Sequence, residues 1–466
     1  MSQNAATRSF HPPERPNFAR ALENPAVTVH GARMTSPTEP DRPEGLHSRQ
    51  AALDLVQSAL DHRGGLDEAM TRTPFAKLEP RDRGLARMLA MTLLRRLGAI
   101  DRLLEPRLRK PPPMAVMMLL RLGVAQARYL DTPAFAAVDT TVRLAEQDPT
   151  ARPFKGLINA VLRGLLRDAP AEPEIEGLAP AWLFARWRSA YGEPGARGAA
   201  AMIIEEPAFD LTPREAADAE ALALLLQAET LPGGSLRLRG RGDLADWPGY
   251  AQGRWWVQDA AAAIPARLLL AKPGEQVLDL CAAPGGKTLQ LAAAGAEVTA
   301  LDRAASRLKR LAESLARTGL TAETVVADAT RWADRRQFDA VLLDAPCTAT
   351  GTFRRHPDVL WGTRPSDIAQ LAGLQTRLLD ANADRVKPGG RLVYCVCSLE
   401  PEEGEAQVAG FLRRRPDFRL VPIAASEGGA PEASVTAAGL LRILPHHRPD
   451  GLDGFFAARF ERKAVG

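Results

Sequence analysis

The stretch QVLDLCAAPGGKT, Gln276–Thr288, decides the fold. A short apolar run ends in a turn of small residues, and that turn opens a helical block. Gly285 and Gly286 let backbone approach a ligand closely where the helix begins. A phosphate-cradling P-loop would need glycine where Cys281 stands, and no G-x-G-x-x-G fingerprint is present.

Outward from this turn the pattern repeats. AEVTALD (296–302), TVVADA (324–329), FDAVLLD (338–344), RLVYCVC (391–397), LLRILP (440–445) and FFAARF (455–460) are strand candidates alternating with helical blocks. The alternation predicts an α/β, Rossmann-like domain over 263–466, a mostly parallel sheet with helices on both faces. Ligands in such sheets sit beyond the carboxyl ends of the strands. Asp302, Asp328, Asp344, Cys281, Cys347 and Cys397 all fall at or just past such ends. Any one of them reads equally well as a cap or a core residue; six on one edge do not.

The amino-terminal part differs. Residues 1–45 are rich in Pro, Arg, Glu, Ser and Thr without periodicity, which predicts a disordered extension, and Met34 is a second candidate initiator. From 46 to 169 apolar residues recur at helical spacing, with Pro112, Pro113, Pro133 and Pro153 at block edges. This predicts an all-α domain, in which KGLINAVLR places Lys155, Asn159, Arg163 and Arg167 on one face. Residues 170–262 mix a helical stretch at AWLFARWRSAYG, a strand at AFDLTPR, a helix at EAADAEALALLLQ and short strands to GRWWVQDAAA, and read as a small α/β connector.

Bulk properties agree with a soluble multidomain protein. The 466 residues are 45% hydrophobic and 25% charged, with a net charge of +4. No apolar run reaches the roughly 18–20 residues of a membrane span, and the amino terminus lacks a secretory apolar segment. A cytoplasmic location without a membrane partner is expected, and the chain is read as a monomer. Four cysteines are few, and are expected as thiols rather than disulfides. The basic excess is concentrated: residues 49–168 hold 20 Lys and Arg against 13 Asp and Glu. A solvated Arg-rich surface explains that, and so does a footprint for a polyanion.

The chemistry follows from two loops. A carboxylate at Asp302, ending the second strand, suits both hydroxyls of a ribose; together with the small-residue turn it points to a nucleoside cofactor lacking a pyrophosphate, S-adenosylmethionine. The fourth strand runs into DAPCTATGTFRRHPD, Asp344–Asp358. Amino-group methylation usually has a Pro-Pro-aromatic turn that stacks on the base, whereas here Pro346 is followed by a thiol. A thiol suits methylation at a pyrimidine carbon, because C5 of cytosine becomes enamine-like once a thiolate has added at C6. A free thiol has a pKa of ~8.5, so the thiolate needs a positive field, for which Lys287, Arg354, Arg355 and nearby helix N-termini are candidates.

DLCAAPGGKT (Asp279–Thr288), DAPCTATGTFRRHPD, VCSLEPEE (Val396–Glu403) and DGFFAARF (Asp453–Phe460) resemble the RsmB (Sun/Fmu) family of RNA 5-methylcytosine methyltransferases, over nearly the whole chain from residue 47. The helical segment with KGLINAVLR resembles the NusB-like RNA-binding domain that the family carries. The resemblance implies Cys397 as the nucleophile, Cys347 as an aid to product release and Asp344 as a partner of the cytosine edge near N3. It further implies Asp302 at the cofactor ribose, Asp328 by the adenine, and Cys281, Ala282, Ala283, Pro284, Gly285, Gly286 and Lys287 around the methionine part, with Asp344 closing the same site. The implied substrate is a cytosine of small-subunit (16S) ribosomal RNA. Val396 stands where the family usually has Thr, and Cys395 lies outside its motif. Cys395 and Cys397 share a strand face, but Cys397 is nearer the carboxyl edge, which leaves Cys395 as a small buried hydrophobe. Transfer RNA as substrate, a non-catalytic RNA-binding factor and a thiolate metal site remain the alternative readings; the Cys-x-Cys spacing does not favour zinc.

Overall fold

The computed structural model describes residues 45–61, 65–72, 74–240 and 242–464. The expected disordered extension therefore lies, apart from Gly45, outside the described residues. The described residues form one compact unit.

The described residues open with six helices: α1 (Leu46–Asp61), α2 (Gly65–Arg72), α3 (Pro80–Leu104), α4 (Met114–Tyr129), α5 (Ala134–Gln147) and α6 (Lys155–Asp168). Their apolar stripes enclose one core that includes Leu55, Leu89, Leu93, Leu120, Leu122, Ile158 and Leu162. On α6 the buried side chains are Ile158, Val161, Leu162 and Leu165. Lys155, Arg163 and Arg167 lie on the face away from that core, with Arg163 Nε donating to Asn159 Oδ1 at 2.9 Å. The predicted polar face exists.

The connector begins with α7 (Ala181–Ala201), followed by β1 (Phe209–Pro213), α8 (Ala219–Leu226), β2 (Glu229–Thr230), β3 (Leu236–Leu238) and β4 (Trp255–Val257). The strands form an antiparallel sheet in the order β2-β3-β1-β4. On the sheet face opposite its apolar core lies a buried fork: Arg237 donates to both oxygens of Asp210 at 2.7 and 2.8 Å.

The last part contains α9 (Ala260–Leu268), β5 (Gln276–Leu280), α10 (Gly286–Ala293), β6 (Glu297–Asp302), α11 (Ala305–Thr318), β7 (Glu323–Val326) and β8 (Phe338–Asp344). It continues through α12 (Val359–Gly362), α13 (Pro365–Asn382), β9 (Val386–Val396), α14 (Glu405–Arg414), β10 (Phe418–Leu420), β11 (Leu441–Ile443) and β12 (Phe455–Arg462). The sheet order is β10-β12-β9-β8-β5-β6-β7, with β11 also on β12. The five strands β5 to β9 are parallel; helices make the crossovers except between β7 and β8, where a loop over 327–337 carries the chain past β6 and β5. The three remaining strands pair antiparallel, so the sheet is mixed. No helix separates β11 from β12, and such a direct return reverses strand direction. Alternate strand residues supply separate cores on the two faces, Leu342 and Val393 on one and Leu343 and Tyr394 on the other.

The three parts meet around the loop that follows β8. Leu66 N–H donates to Asp358 Oδ2 at 3.0 Å, and Trp361 Nε1 donates to Leu94 O at 3.1 Å. From the connector, Trp187 stacks on Phe353 at 5.7 Å, and Arg186 donates to Glu400 and Glu402, each at 2.6 Å. The loops after β8 and β9 are thus gripped by both preceding parts. Among the described residues no helix is long and apolar enough to cross a membrane.

Candidate active site

β5 delivers the chain to Cys281, which adopts a left-handed backbone at φ 60°. Gly285, at φ 112°, leads into α10, and a Cβ there would collide with Leu311. The turn is held to the neighbouring strand by Asp302, whose Oδ2 accepts from Ala283 N–H at 3.2 Å while Oδ1 accepts from Ala304 N–H at 2.8 Å. Asp302 is buried at the sheet edge. Asp328 lies two residues past β7, exposed; its Oδ1 accepts from Thr330 N–H and Thr330 Oγ1 at 2.8 and 2.7 Å, bonds that hold its carboxyl below the usual range.

Lys287, on the first turn of α10, points into the site rather than into solvent. Its Nζ lies 2.8 Å from Asp344 Oδ2 and 5.1 Å from the centre of the Phe455 ring. Burial, the largest single influence, opposes its charge, but Asp344, Cys395 and Cys397 together outweigh it, so the ammonium is held above the ordinary lysine value. Asp344 Oδ1 accepts from Cys395 Sγ at 3.5 Å. Cys395 is fully buried, as expected, yet it touches the carboxylate of the site as well as the core.

Cys347 and Cys397, fifty residues apart in the chain, bring their sulfurs to 3.5 Å. Backbone bonds zip their loops together: Ala345 N–H to Cys395 O and Gly351 N–H to Cys397 O, both 3.0 Å. Gly351 also abuts Gly454, where a Cβ would strike backbone. The Cys397 thiol and burial hold the Cys347 thiol well above its ordinary value, and burial does the same for Cys281. All four cysteines are free thiols.

Two expected sources of positive field are elsewhere. Arg354 is buried with its NH2 group donating to Asp450 O at 2.9 Å, and Arg355 grips Asp259 at 2.7 and 3.2 Å. The Arg355 guanidinium thus ties the catalytic part to the connector, whereas Arg354 Nε and Nη1 are buried without a hydrogen-bond partner. Of the named cations, Lys287 is the one that faces the thiols.

One site residue escaped sequence reading except as part of a motif. Asp279 sits inside β5, fully buried, with Oδ2 accepting from Thr288 Oγ1 at 2.6 Å and Oδ1 without a partner. Burial, eased by Thr288 and aggravated by Asp344, pushes its carboxyl up to about 7. An Asp in the middle of an apolar strand was the available signal.

The fold and this edge define a class, the S-adenosylmethionine-dependent methyltransferases. The residues present fit that cofactor: a close-approach turn at a helix N-terminus, a buried carboxylate at Asp302 and an unpartnered carboxylate oxygen at Asp279 beneath the turn. The description "16S rRNA methyltransferase RsmB/F" matches residues 266–461, and the NusB family matches residues 46–167. The ribosomal RNA small subunit methyltransferase B of Vibrio cholerae is 36% identical over 435 residues, which is 89% of this chain and 97% of that protein. That of Pseudomonas syringae pv. tomato is 36% identical over 444 residues, 90% of this chain and 98% of that protein. The crystal structure of PH0851 superposes with a TM-score of 0.72 at 25% identity, covering 92% of this chain and all of that one. A methyltransferase homologue from Pyrococcus horikoshii gives a TM-score of 0.51 at 27% identity, over 60% of this chain and 94% of that one. The chain belongs to the RsmB/F family of 16S rRNA methyltransferases, with a NusB-type helical region in front of the catalytic part.

Proposed function

We propose that this enzyme methylates C5 of a cytosine in small-subunit ribosomal RNA, through a covalent bond between Cys397 and C6 of the base. The observation that carries the reading is the approach of the two sulfurs to 3.5 Å beside the Lys287–Asp344 pair. Cys347, held high by its neighbouring thiol and by burial, keeps its proton, and Cys397 is taken as the nucleophile from its place in the family motif. Lys287 supplies the positive charge on the thiol side of the site.

In this reading Cys397 loses its proton and its sulfur bonds to C6, so that the electron pair of the C5–C6 double bond becomes available at C5. The bound cofactor supplies the electrophilic methyl group that C5 takes. Loss of the C5 proton then drives the electron pair back between C5 and C6 as the sulfur–C6 bond breaks, with Cys347 aiding release. Asp344 accepts from the cytosine edge in this reading while holding Lys287. Asp302, Asp328 and the turn from Cys281 to Lys287 bind and orient the nucleoside and the methionine part. The chain acts as a monomer in the cytoplasm, where its RNA is found.

Bisulfite sequencing of ribosomal and transfer RNA, from cells with and without the protein, tests the substrate. One small-subunit cytosine should lose its protection when the protein is absent; loss of protection in transfer RNA instead would move the substrate there. The exposed face of α6 is the proposed phosphate anchor. Replacing Arg163 and Arg167 by Gln should weaken RNA binding and lower the slope of log affinity against log salt by about one for each phosphate that is no longer neutralised. An unchanged slope would place the anchor elsewhere.

A further inference from the structure

Each of the two thiols is followed in sequence by a hydroxyl residue, Thr348 after Cys347 and Ser398 after Cys397. Both hydroxyls donate to one carboxylate, that of Glu403, and each lies 2.5 Å from its Oε2. Thr348 N–H adds a bond of 3.0 Å to Oε1, and Gln375 Nε2 adds another of 3.1 Å. Gln375 also donates to Pro346 O at 2.9 Å, so Cys347 is gripped on both sides by one connected set of bonds. The lattice continues sideways: Thr348 and Thr350 hydroxyls lie 3.2 and 3.3 Å from Ser398 Oγ. Thr350 Oγ1 accepts from Leu399 N–H at 3.0 Å.

Glu403 is completely buried, and all four of its donors are neutral. A carboxylate in that setting costs free energy relative to a well-packed neutral group. The Glu403 carboxylate joins the residues that follow both thiols.

We propose that Glu403 is a positioning residue that sets the separation of Cys347 and Cys397, and thereby governs release of the methylated RNA rather than formation of the covalent bond. The inference rests on the thiol reading above. Addition at C6 needs only Cys397, whereas release draws on Cys347 at a defined distance from it. Glu403→Gln keeps the size of the side chain but replaces one charged acceptor oxygen by a donor, so the Thr348 and Ser398 hydroxyls lose the oxygen they share and must turn to new partners. A displacement of about 1 Å at such a site is enough to cost up to about 10²-fold in rate.

The test uses the full chain with the cofactor and two versions of target RNA, one with 5-fluorocytosine and one with ordinary cytosine. For Glu403→Gln the rate of adduct formation on the fluorinated RNA should stay within about twofold of wild type. Multiple turnover on ordinary RNA should fall by about tenfold or more, and a denaturation-resistant protein–RNA complex should accumulate. Thr348→Val, which removes one hydroxyl donor and keeps the backbone bond, should show the same partition and serves if the Gln variant does not fold. Equal losses in adduct formation and turnover, or no loss in either, would overturn the role of Glu403. Failure of the wild-type chain to form an adduct at all would refute the thiol reading itself, a different result.

Discussion

Cys397→Ala is expected to abolish the covalent complex with 5-fluorocytosine RNA and to lower methyl transfer by at least about four orders of magnitude, ~5.5 kcal/mol of transition-state stabilisation. Without the sulfur, C5 stays an aromatic-like carbon and no other group of the edge substitutes for it. Cys347, the obvious replacement, loses its Cys397 neighbour in this variant but is still held protonated by burial, and removing Cys397 does not bring it to the cytosine face that Cys397 occupied. Cys347→Ala should behave in the opposite way. It should still form the adduct, and with ordinary cytosine it should retain RNA covalently because release is slowed. Gel electrophoresis under denaturing conditions reads both outcomes. If Cys347→Ala prevents the adduct and Cys397→Ala does not, the two thiols exchange roles.

The second large effect is on stability. Asp279 is pushed up to about 7 in the folded chain, against ~3.9 for an unfolded Asp. The folded state therefore binds this proton more tightly than the unfolded state between those values. Its contribution to stability is fully present below about pH 4 and is lost as pH rises through about 7, an amount on the order of 4 kcal/mol. Asp279→Asn should remove that slope. Urea unfolding of cofactor-free protein across pH 4 to 8 should show the variant gaining on wild type as pH rises. Parallel pH profiles would mean that Asp279 ionises normally. The Thr288 bond at 2.6 Å can be kept by an Asn oxygen, so the comparison isolates the charge.

Much of this was legible in the chain itself. Strand periodicity located β5, β6, β8, β9 and β12 to within a few residues, since apolar β-branched runs between turn residues bury only as strands. The three-residue β10 was missed, because PDFRL carries too few residues to show a period. The placement of Asp302, Asp344, Cys347 and Cys397 on one edge followed from the rule for parallel sheets, and the edge exists as read. Lys287, Arg354 and Arg355 looked equivalent as cations. They are not, because one lies on the first turn of α10 and the other two lie on a segment that leaves the edge to join the connector.

The sequence by itself determined which groups lie at the carboxyl edge of the sheet: a residue's position within its strand depends only on local pattern and on where the strand ends. The tertiary structure alone decided which of those groups meet. Strand order sets β8 beside β9 and β5 beside β8, and only that order brings Cys347 to 3.5 Å from Cys397 and Lys287 to 2.8 Å from Asp344. It also places Glu403 behind both thiols, in bonds that span fifty-five residues to Thr348 and five to Ser398. Meetings over such separations depend on how loops cross a folded sheet, and no local periodicity encodes them.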